Sequence, residues 1–286
     1  MFNLLKTTKP KQISSIEICE NFYNLGMWID YRNANPDLFD NSYLTPLART
    51  ICTEGAVEPL TGIEIPAGAM DPSGNLREGL VFSYVNSRIR AVMLVIHNLI
   101  SDNQIISPKI YASEAVTPFA LKFRGIFSKF IGSEYATSAD QKEHLFPILS
   151  QDLQDLSYPS NSFDIVSTNE VLEHVPSIDK ALEEIYRVLK IGGWHIGTVP
   201  FCHGQDESVV RARMENEELV HLTEPEYHGN PMDEKGSLVF ELPGWGILDR
   251  ARAIGFSDAH MRYIISTQHA CLSQDIGGIL VLCLQK

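Results

Sequence analysis

Three neighbouring stretches decide the fold: Phe163-Asp-Ile-Val-Ser-Thr168, Ser177-Ile-Asp-Lys-Ala-Leu-Glu-Glu-Ile-Tyr-Arg-Val-Leu189 and Trp194-His-Ile-Gly-Thr-Val199. The outer two are short apolar runs of strand length. In the middle one, Ile178, Ala181, Leu182, Ile185, Val188 and Leu189 recur at helical spacing and give one buried stripe. Ser177 is placed to cap that helix, and Gly192-Gly193 supply residues for a left-handed exit. Strand, helix and strand at this rhythm imply a right-handed βαβ unit and a parallel sheet.

The same texture extends outward. Lys109–Ser113, Phe130–Ser133 and Leu145–Leu149 read as three earlier strands, and Met261–Ser266 and Ile279–Leu284 as two later ones. A helix over Ile247–Ala253 is stopped by Gly255. The expected architecture is an α/β fold: a Rossmann-like, seven-stranded, mostly parallel sheet over residues 106–286. A polar insertion at about 200–242 follows the fifth strand. Residues 1–105 form a smaller N-terminal region, where Leu76–Leu99 reads as a helix. Its stripe is Val85, Ile89, Val92, Met93, Ile96 and Ile100, with Arg88 and Arg90 off it.

Composition sets the outer limits. At 286 residues with 44% hydrophobic side chains, the chain can bury a sizeable core, which excludes global disorder. A net charge of −13 argues against nucleic-acid partners and against a polybasic membrane anchor. The five cysteines are scattered without a CxxC pair, which predicts reduced, buried thiols and a cytoplasmic setting. No membrane span and no signal peptide are read from the sequence.

Acidic residues stand at the ends of the first four strands of this sheet: Glu114, Glu134, Asp152 and Glu170, at intervals of 20, 18 and 18 residues. In an open α/β sheet, ligands bind beyond the carboxyl ends of the strands. A carboxylate ending the second strand is where a ribose is usually gripped. The plain reading, polar strand ends and helix-dipole acids, weighs equally on each residue taken alone.

The stretch Asp152-Leu-Gln-Asp-Leu-Ser-Tyr-Pro-Ser-Asn-Ser-Phe-Asp-Ile-Val-Ser-Thr-Asn-Glu-Val-Leu-Glu-His-Val-Pro176 resembles the core of class I S-adenosylmethionine-dependent methyltransferases of the ubiquinone/menaquinone-biosynthesis type. Ala181-Leu-Glu-Glu-Ile-Tyr-Arg-Val-Leu-Lys-Ile-Gly-Gly193 and Val199-Pro-Phe201 continue the likeness. The resemblance implies S-adenosyl-L-methionine as cofactor, with Glu134 on the ribose, Asp152 on the adenine amino group with Leu153 beside it, and Asn169 and Glu170 at the methionine end. With Glu114 and Tyr135, these are the candidate cofactor-binding residues. One departure stands out. The family's first loop is glycine-rich, whereas here it reads Glu114-Ala-Val-Thr-Pro-Phe-Ala120.

The expected reaction is methyl transfer to a small-molecule or glycan acceptor, most readily at oxygen. His203, His221 and His228 in the insertion are the candidate general bases, and Arg211 and Arg213 suit an acidic acceptor. The alternative is a non-catalytic methyltransferase-like binding module, which the glycine-poor loop favours. Glu170, Glu173 and His174 fall at i, i+3 and i+4, a spacing that could hold a divalent ion. Capping and a structural histidine are the plainer reading, so no metal is expected. Finally, Asn75–Arg90 resembles a segment that follows a small zinc ribbon in related methyltransferases. Here it lacks the cysteines near Phe82 and Val85, as in a ribbon that has lost its metal.

Overall fold

The computed structural model describes residues 16–70, 76, 79–136, 138–216, 218–230 and 233–286. The N-terminal elements are β1 (Glu17–Phe22), α1 (Leu25–Ala34), α2 (Asn41–Glu54), the short pair β2 (Ala56–Val57) and β3 (Glu64–Ile65), and α3 (Ser87–Asp102). Then follow β4 (Ile110–Ala112), α4 (Pro118–Ile126), β5 (Phe130–Glu134), α5 (Ala139–Leu145), β6 (Leu149–Ser150), β7 (Phe163–Asn169), α6 (Ile178–Val188) and β8 (Leu189–Thr198). The insertion supplies β9 (Val209–Val210), β10 (Ala212–Glu215), β11 (Glu218–His221), β12 (Tyr227–Asn230), β13 (Asp233–Leu238) and β14 (Glu241–Leu242). The chain closes with α7 (Gly246–Ile254), β15 (Asp258–Ser266) and β16 (Ile279–Gln285).

The main sheet runs β1-β15-β16-β8-β7-β4-β5-β6. Strands β4 to β8 pair in parallel, with Ile110 opposite both Phe130 and Ile165. β16 then enters antiparallel between β8 and β15. Strand order reverses between β4 and β7, and that is where an α/β sheet opens a crevice. The sheet has eight strands rather than the expected seven. The eighth is β1, which pairs with β15 from Glu17↔Ser266 to Phe22↔Met261 and covers what would be a long open edge.

Alternation along the strands divides the core. Tyr111, Val166 and Leu282 face a cluster with α6, α7 and Trp28 of α1, whereas Ile110, Ile165 and Val281 face one with α3 and α4. Ser177 caps α6 as expected, accepting from the Lys180 N–H. The helix ends differently, however. Leu189 takes extended angles and enters β8 directly, so Gly192 and Gly193 lie within that strand. Gly192, at φ +77°, donates instead to the carbonyl of Lys286 at 2.9 Å.

Other expectations are corrected. The run Leu145–Leu149 is mostly not a strand. α5 ends at Leu145, Pro147 offers no N–H to a ladder, and β6 is only Leu149–Ser150. α3 begins at Ser87, capped by the Asn86 side chain accepting from Ile89 N–H at 3.0 Å, eleven residues later than its periodicity suggests. Arg90 does not lie off the buried face. It is fully buried, and its guanidinium donates to the carbonyls of Val85, Ala270 and His269 at 2.8–2.9 Å. Of the cysteines, Cys52, Cys271 and Cys283 are buried, Cys202 is half-buried, and Cys19 is exposed on edge strand β1.

Asn75, Arg77 and Glu78 of the ribbon-like segment lie outside the described residues. Phe82 and Val85 exchange backbone hydrogen bonds across Ser83 and Tyr84, both at positive φ. Nearby, Ile51, Cys52, Ile65 and Leu80 form a small apolar cluster with Leu272.

Candidate functional site

A cavity of about 570 Å³ opens at the carboxyl ends of β4, β5 and β7. Glu114, Glu134, Tyr135, Asp152, Leu153, Asn169 and Glu170 all line it. Elements widely separated in the chain thus deliver the whole expected set to one place. Leu153 is buried in the wall and Tyr135 is exposed at the mouth. Asp152 accepts from the Gln154 N–H at 2.8 Å, which fixes the turn that presents it.

The first loop is built without glycine. Thr117 caps α4, accepting from the Ala120 N–H at 3.2 Å, and Pro118 occupies the first helical turn. One oxygen of Glu134 accepts the Ala115 and Val116 N–H groups at 2.7 and 3.1 Å. The loop's backbone donors are therefore directed at a strand-end carboxylate. Ala115 and Val116 do not line the cavity, so their Cβ atoms leave it open. Gly132 on β5 lets that strand pack closely against the loop. A Cβ there would meet the Glu114 carbonyl at 2.5 Å.

Glu114 is buried at the centre of this arrangement. Thr117 and Asn169 both donate to its carboxylate. Burial nevertheless pushes its pKa up from 4.5 to about 7, and neighbouring Glu134 adds to the rise. The far oxygen of Asn169 and the hydroxyl of Ser113, both at the cavity wall, are buried without a hydrogen-bond partner among the described residues. Glu170 adopts φ +53°, a sparsely populated conformation for a non-glycine residue, and pairs with Arg88 at 3.1 Å.

A second cavity of about 620 Å³ adjoins the first, with Glu170, His174 and Gly229 lining both. His203 and His228 line it, whereas His221 lies exposed on β11 and lines neither. His203 has its pKa held below the usual histidine value, chiefly by burial and then by Arg32. His228 has its pKa raised by the facing Glu173 carboxylate. Arg211 and Arg213 line neither cavity; they pair with Glu226 and Glu215.

Sequence reasoning missed the roof. Ser237, Leu238 and Phe240, from β13 and just beyond it, close over the first cavity, and His174 joins the two spaces. The polar insertion was the available signal, but nothing in its spacing shows which residues turn inward.

Residues 127–197 match a family model described as a methyltransferase domain. The match runs from just before β5 into β8. Over 38 residues the chain is 60% identical to the ubiquinone/menaquinone biosynthesis C-methyltransferase of Hydrogenovibrio crunogenus, covering 13% of this chain and 15% of that one. Over 63 residues it is 40% identical to the demethylmenaquinone methyltransferase of Listeria monocytogenes, covering 22% and 26%. The matched stretches thus span only a minor part of either relative's length. Among solved structures, the chain is similar to an S-adenosylmethionine dependent methyltransferase from Mesorhizobium loti, with 14% identity, TM-score 0.42 and coverage of 65% and 95%. It is also similar to 1,6-didemethyltoxoflavin-N1-methyltransferase of Burkholderia thailandensis, solved with 1,6-didemethyltoxoflavin and S-adenosylhomocysteine. There the identity is 13%, the TM-score 0.42 and the coverage 70% and 78%. No helix among the described residues is long and apolar enough to cross a membrane.

Proposed function

We propose that this chain is an S-adenosylmethionine-dependent methyltransferase that methylates an oxygen of a small molecule or glycan. The observation that carries the reading is the convergence of Glu114, Glu134, Tyr135, Asp152, Leu153, Asn169 and Glu170 on one cavity beside the topological switch point. The Asn169 oxygen and Ser113 hydroxyl, without partners among the described residues, suit a polar ligand, because buried polar atoms ordinarily have partners.

Glu134 and Asp152 would hold the ribose and adenine ends, with Leu153 packed on the base. Asn169 and Glu170 would face the methionine end, near the second cavity. When bound, the cofactor supplies an activated methyl group on a sulfonium. The protein's own task is then alignment, and good orientation is worth about 7–11 kcal/mol. His203 is the strongest of the three candidate bases. It lines the acceptor-side cavity, and burial keeps it neutral and able to take a hydroxyl proton. His221 does not reach either cavity, and His228 is engaged with Glu173 and Glu226.

The test is turnover. The protein is incubated with methyl-labelled S-adenosylmethionine and a panel of hydroxylated small molecules and glycans, and S-adenosylhomocysteine release is followed. Acceptor-dependent release supports the reading. Cofactor binding without release for any acceptor would favour the non-catalytic module.

A further inference from the structure

Glu173 and His174 are adjacent on the single 3-10 turn Leu172–His174 that follows β7, and β12 brings His228 against them. The Glu173 Oε1 atom lies 3.4 Å from His174 Nε2 and 3.6 Å from His228 Nδ1. The three ligand atoms all fall within 4.8 Å of one another. Glu173 is fully buried, and neither of its carboxylate oxygens has a hydrogen-bond partner among the described residues. A buried carboxylate so placed requires a compensating charge.

The far sides of both imidazoles are already committed. His174 Nδ1 lies 2.9 Å from the Leu238 carbonyl, which can only accept, so in the neutral ring the proton sits on Nδ1 and the Nε2 lone pair faces Glu173. His228 Nε2 lies 3.2 Å from Glu226, whose other oxygen Arg211 holds at 2.8 Å. In the neutral ring this leaves the Nδ1 lone pair facing Glu173 as well. Three electron-rich atoms therefore converge on one point. The 3.4 and 3.6 Å edges are close to the roughly 3.3 Å that separates ligands around a tetrahedral ion at about 2.0–2.1 Å.

We propose that Glu173, His174 and His228 hold a divalent first-row transition-metal ion at the junction of the two cavities. Two imidazoles and one carboxylate suit zinc, cobalt, iron or manganese better than calcium or magnesium. The Leu238 carbonyl and Glu226 orient the two rings from outside, as such partners do in metal sites. Glu170, also on the 170/173/174 spacing, is turned to Arg88, and His228 of the insertion takes its place. His174 and His228 border the second cavity, so the remaining coordination positions would accept an oxygen-bearing acceptor there. That last role rests on the methyltransferase reading; the site itself does not.

The test is a cobalt(II) titration of the chelator-treated full-length chain without cofactor, followed by visible absorption. Expected are one equivalent bound with a Kd of about 10 μM or tighter, ligand-field bands of a low-coordinate nitrogen/oxygen site, and displacement by zinc. His228→Ala should weaken binding at least about 100-fold, and Glu226→Gln about 10–100-fold. S-adenosylhomocysteine binding to His228→Ala, read by calorimetry, should stay within about threefold of wild type. This separates loss of the ion site from misfolding or from failure of the methyltransferase reading. No cobalt or zinc binding by the wild-type chain at about 1 mM, or binding unchanged in both variants, would overturn the proposal. Glu173 would then be balanced by a proton on His228.

Discussion

The carboxylate of Glu134, at the end of β5, accepts the backbone N–H of Ala115 at 2.7 Å from the loop that follows β4. This contact explains how a loop without glycine is held, and it gives one side chain two duties: fixing the loop and facing the cavity. Glu134→Ala should lose both. It leaves the Ala115 and Val116 donors unpaired, costing about 1–3 kcal/mol of stability, and cofactor affinity should fall at least about tenfold. Glu134→Gln keeps an acceptor for the loop, so chemical denaturation should register a smaller loss while the affinity drop persists. Equal stability losses for both variants would mean that the loop does not depend on this acceptor.

Gly132→Ala tests the close approach from the other side. A methyl group there meets the Glu114 carbonyl at 2.5 Å and the Ala115 Cα at 3.0 Å, so the loop must move. Overpacking of this kind costs about 1–3 kcal/mol, and the displaced Glu114 and Thr117 should also reduce cofactor affinity. Unchanged melting and unchanged binding would show that the loop has slack.

Glu114 gives a pH signature. Its folded pKa, about 7, lies above its ordinary value of 4.5, so the folded state favours the protonated form. Below pH 4.5 both states are protonated and no stability is lost. Between about 4.5 and 7 the unfolded chain releases this proton and the folded one retains it, so stability falls, by up to about 3 kcal/mol, and levels off above. Glu114→Gln removes that term. Its melting temperature relative to wild type should therefore be higher at pH 8 than at pH 4.5, and an identical difference at both would contradict the buried acid.

The histidines should separate by place. His203→Ala should lower the turnover rate about 10²–10⁴-fold, whereas His221→Ala should leave it within about twofold. Because His203 titrates below the usual 6.5, the wild-type rate should hold down to that pH before it declines. Equal effects of the two substitutions would remove His203 from the base role.

The parallel core was legible in the sequence because periodicity and strand-end chemistry coincide there. Ile178 to Val188 bury the stripe their spacing predicts, and Glu114, Glu134, Asp152 and Glu170 meet because each ends or follows a strand of one sheet. What was not legible depends on partners remote in sequence. β1 joins the sheet only because β15 presents a long edge, and Arg90 is buried only because the carbonyls of His269 and Ala270 reach it. His174 and His228 meet through the fold of the insertion, whose polar composition carries no period. The helix exits at Leu189 rather than at Gly192-Gly193 because β8 begins there immediately, and a strand following without a turn leaves no local sign.

Calorimetric titration of the purified chain with S-adenosylmethionine addresses the central claim most directly. Saturable one-to-one binding with a Kd of about 1–100 μM, weakened at least about tenfold in Asp152→Ala, is the predicted result. An absence of heat at about 1 mM cofactor, or binding indifferent to Asp152, would contradict the assignment of this cavity.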